Sequence, residues 1–172
     1  RISDDGDRAA VRDLAERYGV DYTVSPKKGK AHAVNAVLPE LTGQLVLVLD
    51  AHLVASPDIL EALSGFFADD AVSLVHCGTA QRTGDGERPD VVDFDRSVAF
   101  HRVDSALWEG SAALIRRDAL VAIGGMATST STSPLETSLL LQRAGGRVQF
   151  QPEPLAQQLD VSRNESGALA AM

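Results

Sequence analysis

The chain has 172 residues and a formal net charge of −8, with 24 acidic side chains against 16 lysines and arginines. This acidity disfavours binding to nucleic acid, or to an anionic membrane through a broad basic face, although a local basic cluster could hold a small phosphate ligand. The single cysteine excludes an intrachain disulfide, and the length with 44% hydrophobic residues predicts one globular domain over residues 1–172.

Strand and helix patterns alternate along the first half of the chain. Strand patterns fall at 1–3, 20–24, 45–49 and 72–77, and helical patterns at about 8–18, 31–41 and 58–67. The run 45–49 is wholly apolar, which is typical of a strand buried on both faces of a sheet. The alternation predicts βαβ units and an α/β fold with a mainly parallel sheet flanked by helices. Because Arg1 stands almost against a turn, we expect that the first strand of the domain is missing and that the chain is truncated.

The second half has a less regular pattern. Residues 78–90 are rich in Gly, Asp, Glu, Arg and Pro, which predicts an exposed, mobile loop. The remaining elements are expected as a helix within 91–108, a strand at 111–115, helices at 118–123 and 134–144, and a strand at 148–151. Each of the last two helices is followed by a pair of glycines, which commonly end helices.

Polar side chains are predicted to meet at the carboxyl edge of the sheet, where α/β folds bind ligands. They come from three segments: Asp4-Asp5, the basic loop Lys28-Gly29-Lys30 and Asp50-Ala51-His52. In an extended segment, the side chains of Asp50 and His52 would leave the same face. An oxygen and a nitrogen ligand side by side suit a divalent metal such as Mn²⁺, with open positions for a phosphate. The alternative is an aspartate that starts a turn beside a surface histidine.

Several short motifs follow one another from residue 4 to about 155. They are Asp4-Asp5-Gly6, Gly29-Lys30-Ala31-His32-Ala33-Val34-Asn35, Val48-Leu49-Asp50-Ala51-His52, Ser56-Pro57-Asp58-Ile59-Leu60, Gly110-Ser111, Leu114-Ile115-Arg116-Arg117-Asp118-Ala119-Leu120, Ile123-Gly124-Gly125, Glu136-Thr137-Ser138-Leu139 and Pro152-Glu153-Pro154-Leu155. In order and spacing, this set resembles glycosyltransferase family 2, and especially its cellulose-synthase-like processive branch. The resemblance implies the GT-A fold, which is a Rossmann-like α/β fold.

The resemblance also implies roles for the acidic residues and for one histidine. Asp50 and His52 match the family's metal motif, whose usual form is Asp-x-Asp, and the histidine favours Mn²⁺ over Mg²⁺ as the divalent metal. Asp4 and Asp5 match the family's acidic pair that contacts the nucleoside. For this pair the alternative is a turn that caps the following helix.

Four further residues match binding segments of the family. Lys30 stands at the start of a predicted helix, where its ammonium and the helix N-terminus could both face a donor phosphate, unless the loop is merely a solvated basic one. Asn35 would either reach the same site or simply lie in the helix. Gly110 and Ser111 match the acceptor-side segment, although a lead-in to the next strand explains them equally well.

Two departures from the family's pattern bear on catalysis. Processive members take their general base from a Thr-Glu-Asp motif, whose positions hold Thr132, Ser133 and Pro134 here, and proline cannot accept a proton. Glu136 is the nearest carboxylate and the candidate base, but the segment from Ser133 to Glu136 also predicts a capping box. The family's Gln-x-x-Arg-Trp motif, which holds the acceptor end and the diphosphate, is not found after Leu155.

The resemblance implies an inverting, metal-dependent glycosyltransferase domain. Its donor would be a UDP-linked sugar and its acceptor a growing glycan or a lipid-linked chain. The domain would be cytoplasmic, within a synthase whose membrane segments lie outside this chain. One alternative is a degenerate domain that binds a nucleotide sugar or a protein partner without transfer, which Pro134, His52 and the absent Gln-x-x-Arg-Trp motif favour. A nucleotidyltransferase is a third hypothesis, against which the Glu136-Thr137-Ser138-Leu139 segment speaks.

Overall fold

The computed structural model describes residues 1–83, 86–89, 91–102, 105–110 and 112–158. Its strands are β1 (Ile2–Asp4), β2 (Tyr22–Val24), β3 (Leu45–Val48), β4 (Leu53–Ala55), β5 (Val72–Thr83), β6 (Gly86–Pro89), β7 (Ala113–Arg116) and β8 (Arg147–Gln158). Its helices are α1 (Ala9–Arg17), α2 (Lys30–Val37), α3 (Ile59–Ser64), α4 (Val91–Arg102), α5 (Arg117–Ala122) and α6 (Ser133–Arg143). None of the helices in these ranges is long and apolar enough to cross a bilayer.

Six strands form one sheet in the order β3–β7–β5–β8–β4, with β6 paired to the C-terminal end of β5. β1 and β2 form a separate parallel pair. The predicted α/β class is confirmed, but the sheet is mixed rather than mainly parallel. β5 and β8 run parallel, whereas β7 lies antiparallel between β3 and β5, and β4 is antiparallel to β8. An apolar run reports burial on both faces of a sheet and not the direction of the strand, so the sequence pattern could not show this.

The sheet separates two hydrophobic clusters, and neighbouring residues of its central strands alternate between them. On β5, Leu74 joins the cluster formed with α2, α5 and α6, while Val75 joins the cluster formed with α3. On β7, Ile115 and Leu114 divide in the same way, and all four side chains are at most 2% exposed. Helices cover both faces, so neighbouring positions at the centre of these strands are apolar.

The prediction of a loop over 78–90 is wrong for most of that segment. β5 continues to Thr83, and β6 returns antiparallel beside it with Ala80 opposite Pro89 and Thr83 opposite Gly86. Residues 84, 85 and 90 lie outside the described residues. A composition typical of loops is compatible with strands here because backbone pairing with a neighbour, and not residue preference, decides the conformation.

The last strand is longer than predicted and contains two prolines. Gly78 on β5 is opposite Pro154 on β8, and the register shifts on both sides of this pair. Proline cannot donate a hydrogen bond to the ladder, which confines it to such irregular positions. A Cβ atom at Gly78 would lie 3.1 Å from the carbonyl oxygen of Pro152, so the glycine permits this close approach.

His76 on β5 is a buried imidazole in the middle of the sheet. Its ring lies 4.8 Å from that of Phe150, and no described residue hydrogen-bonds its Nε2 atom. Burial, with a smaller effect of His101, lowers the pKa of His76 from 6.5 to about 3. At acid pH, the His76 imidazole therefore binds a proton in the unfolded chain but not in the folded chain. The free energy of unfolding consequently falls as the pH is lowered through this window.

We expect His76→Leu to remove this part of the acid sensitivity. Relative to the variant, the wild type should lose about 1.4 kcal/mol of unfolding free energy per pH unit between about pH 6 and pH 4. Urea titrations of both proteins across this range, followed by circular dichroism, measure the difference. Other titrating groups cancel in the comparison because both proteins contain them. Parallel pH profiles would contradict the expectation.

Candidate functional site

A cavity of about 710 Å³ lies between the start of α2, the turn after β3 and the segment that leads into α6. Its wall combines basic, acidic and hydroxyl side chains. The lining residues are Lys28, Gly29, Lys30, Ala31, His32, Asp50, Glu109, Gly110, Thr128, Thr130, Ser131, Thr132, Ser133, Pro134 and Leu135. Three of the segments that the sequence analysis singled out thus reach one cavity: the basic loop, the end of the apolar strand and the positions of the expected base.

Lys30 connects three parts of this wall. It is the first residue of α2, and its Nζ atom lies 2.5 Å from Oδ1 of Asp50 and 2.5 Å from the carbonyl oxygen of Gly110. The same ammonium lies 5.6 Å from the centre of the Trp108 ring. Because a helix N-terminus carries unpaired N–H groups and a partial positive charge, this corner of the cavity is suited to an anion beside a carboxylate.

Asp50 lines the cavity, whereas His52 does not. The segment from Asp50 to Leu53 is a turn closed by a 3.0 Å hydrogen bond from the Leu53 N–H to the Asp50 carbonyl, so the extended geometry predicted for it is wrong. His52 is exposed and is not among the residues that line the cavity. Across the described ranges, no three or more His, Cys, Asp or Glu side chains cluster as a metal site would require. The carboxylate of Asp50 has a second oxygen, Oδ2, so it fits a metal ligand even while Oδ1 holds Lys30.

Asp4 faces the protein interior. Its buried carboxylate accepts hydrogen bonds from the backbone N–H groups of Gly6 and Arg8, from the Arg8 guanidinium and from the Tyr22 hydroxyl. The Arg8 side chain, followed by its backbone N–H, holds the pKa of Asp4 well below its usual range. Asp5 instead accepts a 2.8 Å hydrogen bond from the Gly29 N–H. The acidic pair thus supports the strand end and the loop before α2, and neither residue lines the cavity.

Asn35 holds the chain that enters the far wall of the cavity. Its Oδ1 atom accepts a 2.7 Å hydrogen bond from the Met126 N–H, and its Nδ2 atom donates a 2.9 Å bond to the Met126 carbonyl. Both the oxygen and the nitrogen of the amide are thereby bonded to the backbone of one residue. The segment that begins two residues later, with Thr128, is fixed to α2 by this contact.

Glu136 is not among the residues that line the cavity, whereas Pro134 is. The Glu136 carboxylate accepts hydrogen bonds of 2.6 Å from Ser129 and 3.0 Å from Thr130. The predicted capping box is wrong: α6 begins at Ser133, its first turn has no side-chain cap, and the Ser133 hydroxyl donates to the Thr130 carbonyl. The reason is local: the residues just before the helix, Ser129 and Thr130, bond to both side chains.

Two features of the wall were missed in the sequence analysis. One is the run of six hydroxyl residues from Thr128 to Ser133, five of which line the cavity. Its alternation of Thr and Ser was a visible signal. The other is Glu109, which also lines the cavity and has no motif to mark it. Ser111, predicted on the acceptor side, lies outside the described residues, while Gly110 contacts Lys30.

Two solved structures show the class of fold. A mannosyltransferase, PcManGT from Pyrobaculum calidifontis in complex with GDP-Man and Mn²⁺, matches with a TM-score of 0.69 and 24% identity over 95% of this chain and 47% of its own. GalNAc-T7 with UDP, GalNAc and Mn²⁺ matches with a TM-score of 0.62 and 12% identity over 88% of this chain and 34% of its own. The fold is the GT-A fold, as predicted.

The family follows from sequence. The model of Glycosyl transferase family 2 matches residues 2–122, and the chain belongs to this family. A UDP-forming cellulose synthase 1 catalytic subunit of Komagataeibacter xylinus is 29% identical over 94% of this chain. A UDP-forming cellulose synthase catalytic subunit of Xanthomonas axonopodis pv. citri is 28% identical over 90% of it. The chain spans about a quarter of the length of these relatives, 24% and 23%. The predicted family and its cellulose-synthase-like branch are confirmed.

Proposed function

We propose that this chain is the donor-binding and transferring domain of an enzyme that moves a sugar, with inversion, from a UDP-linked donor to a growing polysaccharide or other glycan. The observation that carries the proposal is the meeting of Lys30 and Asp50, 2.5 Å apart, on the wall of a cavity of about 710 Å³. A metal-bound diphosphate needs positive groups for its phosphates and a carboxylate for its metal. Lys30 at the helix N-terminus and Asp50 beside it would supply them. The relatives named UDP-forming support UDP as the nucleotide, and GDP-mannose in PcManGT makes GDP the alternative to test.

In this proposal, different walls of the cavity bind different parts of the donor. Lys30 and the first N–H groups of α2 bind the diphosphate and oppose the negative charge that grows on it as the sugar departs. The hydroxyls from Thr128 to Ser133 form the opposite wall and can donate to and accept from the hydroxyls of a sugar. Asp5 orients the loop before α2 on the nucleoside side, and Gly110 and Ser111 belong to the acceptor side. Asp4 and Asn35 contribute indirectly: Asp4 supports the end of its strand, and Asn35 fixes the segment that begins with Thr128.

Asp50 is the residue proposed to hold a divalent metal; the predicted second ligand, His52, is exposed and does not line the cavity, so the proposal does not include it. A bound divalent cation would act as a Lewis acid that neutralises the leaving diphosphate. The names of both solved structures include Mn²⁺, which supports the proposal of Mn²⁺ over Mg²⁺ as the metal. The acceptor would be a glycan or a lipid-linked chain. We also propose that the domain is cytoplasmic and lies next to membrane segments outside this chain.

A second candidate function is binding of a nucleotide sugar without transfer. It is favoured by Pro134, which lines the cavity at the position where processive relatives would supply a carboxylate base. Turnover separates the two candidates. The purified chain is incubated with Mn²⁺ and either UDP-glucose or GDP-mannose, with and without a β-linked oligosaccharide, and release of the nucleoside diphosphate is followed. Release supports transfer. Binding without release supports the second candidate.

Asp50→Ala tests the donor and metal site directly. Calorimetric titration of UDP into the wild type should show binding in Mn²⁺ that weakens at least about tenfold in EDTA, since a metal held by Asp50 would attract the diphosphate. The variant should bind as weakly in Mn²⁺ as the wild type does in EDTA, and EDTA should have no further effect on it. Asp118→Ala is the matched control, because Asp118 is exposed on α5, away from the cavity. An Asp50→Ala protein that keeps metal-dependent binding would refute the assignment.

A further inference from the structure

Lys30 is the counter-ion of Asp50 in this structure. The two side chains are only 27% and 19% exposed, and the Lys30 ammonium lies 2.5 Å from Oδ1 of Asp50. Water screens such a pair less than it screens a pair on the open surface. The ammonium therefore offsets much of the negative charge that Asp50 could offer to another cation. The pair joins the residue proposed for the diphosphate to the residue proposed for the metal.

The ammonium of Lys30 has a defined place in the wall. Besides Asp50, it donates to the carbonyl of Gly110 at 2.5 Å, and it lies 5.6 Å from the centre of the buried Trp108 ring. A Cβ atom added to Gly110 would lie 3.7 Å from Nζ of Lys30, so the ammonium packs against the backbone there. An ammonium has three N–H donors, and Asp50 and Gly110 accept from two of them. The third is left for an incoming phosphate.

A divalent metal on Asp50 would share its carboxylate with this ammonium. Oδ2 could take the metal while Oδ1 holds Lys30, but two cations on one carboxylate repel each other. Within the described part of the chain, no group of three or more His, Cys, Asp or Glu side chains is placed to hold the metal more firmly. We therefore expect the protein without nucleotide to bind a divalent metal weakly.

A diphosphate changes this balance, because it carries more negative charge than one carboxylate and the lysine side chain has a flexible four-carbon stem. We propose that Lys30 leaves Asp50 for the diphosphate when the nucleotide binds, which frees both oxygens of Asp50 for a divalent metal. Donor and metal are thereby coupled, since the donor removes the ammonium that opposes the metal. The inference rests on the proposed donor site and adds the residue that couples its two ligands.

Lys30→Met tests the competition, because methionine keeps an apolar stem beside Trp108 and removes the charge. Without nucleotide, the affinity for Mn²⁺, measured from the electron paramagnetic resonance signal of free Mn²⁺, should rise at least about fivefold as the repulsion is lost. The double variant Lys30→Met with Asp50→Ala should lose this gain, which would locate the added affinity at Asp50. Lys30→Arg keeps the charge and should show no gain.

Lys27→Met is the matched control for the loss of one positive charge. Lys27 is exposed in the same loop and does not line the cavity. Its replacement should leave the affinity for Mn²⁺ within about twofold of the wild type, because solvent and salt screen an exposed charge. A gain equal to that of Lys30→Met would show that net charge, and not the contact with Asp50, controls the metal.

The exchange itself is tested by calorimetric titration of UDP into the wild type and Lys30→Met, in EDTA and in Mn²⁺. If Lys30 leaves Asp50 when UDP binds, its removal favours the metal only in the protein without nucleotide. Linkage then requires the loss of UDP affinity in Lys30→Met to be at least about fivefold larger in Mn²⁺ than in EDTA. Equal losses in the two solutions would show that Lys30 stays on Asp50, and would overturn the exchange.

The remaining outcomes separate this inference from the proposed function. Unchanged Mn²⁺ affinity in Lys30→Met, together with Mn²⁺-dependent binding of UDP by the wild type, would overturn the competition and leave the donor site standing. A folded wild type that binds no UDP in Mn²⁺ would overturn the donor site, and the coupling with it.

Discussion

Gly125→Ala is expected to be one of the most destabilising single substitutions in this protein. Gly125 has a φ of +95°, and an added Cβ atom would lie 2.5 Å from Oδ1 of Asn35, which is the atom that accepts the Met126 N–H. Backbone strain and overpacking together should lower the free energy of unfolding by about 3–5 kcal/mol. Urea denaturation followed by circular dichroism measures this loss.

Gly124→Ala is the matched control for that experiment. Gly124 has a similar φ of +85°, but an added Cβ atom would meet nothing within 4 Å. It should therefore show the strain alone, about 1–2 kcal/mol. Because Asn35 also anchors the segment that leads to Thr128, only Gly125→Ala should in addition weaken UDP binding in Mn²⁺. Equal losses of stability for the two variants would show that the Asn35 contact does not restrict this position.

Trp108→Ala is expected to have a comparably large effect, through the core. The Trp108 side chain is fully buried within the hydrophobic cluster between the sheet and α2, α5 and α6. Removal of a buried aromatic ring leaves a cavity, which typically costs about 3–5 kcal/mol of unfolding free energy. Lys30 lies over the same ring, so the ammonium should also lose its support and UDP affinity should fall.

Two further variants separate these contributions. Trp108→Phe keeps an aromatic face below Lys30 and should lose only about 1–2 kcal/mol. Leu139→Ala removes an apolar side chain that is 48% exposed on α6, and it should change stability by less than about 1 kcal/mol. Both Trp108 variants remove the one tryptophan of the chain, so tryptophan fluorescence cannot follow their unfolding. Circular dichroism is therefore the suitable probe. A loss below about 1 kcal/mol for Trp108→Ala would show that the cluster collapses to fill the space.

In the candidate site, the sequence motifs predicted which segments meet but not the hydrogen-bond partners of most polar residues. The motifs located the loop before α2 and the end of β3, and the structure brings Lys30 and Asp50 of these segments to 2.5 Å. The partners of the other polar residues could not be predicted in the same way. Asn35 bonds to Met126, 91 residues away, and Asp4 bonds to Tyr22, 18 residues away. A motif records which residue stands at a position, whereas its partner depends on which distant segment folds against it.

Local pattern and family resemblance were sufficient for the α/β class, for the buried strands and for the end of α5 at Gly124-Gly125. These features depend on which faces are buried and on the backbone freedom of a few neighbouring residues, and both are written in short stretches of sequence. The β5–β6 hairpin, the turn at His52 and the lost capping box depend on contacts within a few residues that the residue types alone did not reveal. Tertiary structure alone decided the direction of β7, the bonding of Asn35 to Met126 and the presence of Glu109 in the cavity. These last features depend on contacts between segments far apart in the chain, whose energies no local window of sequence contains.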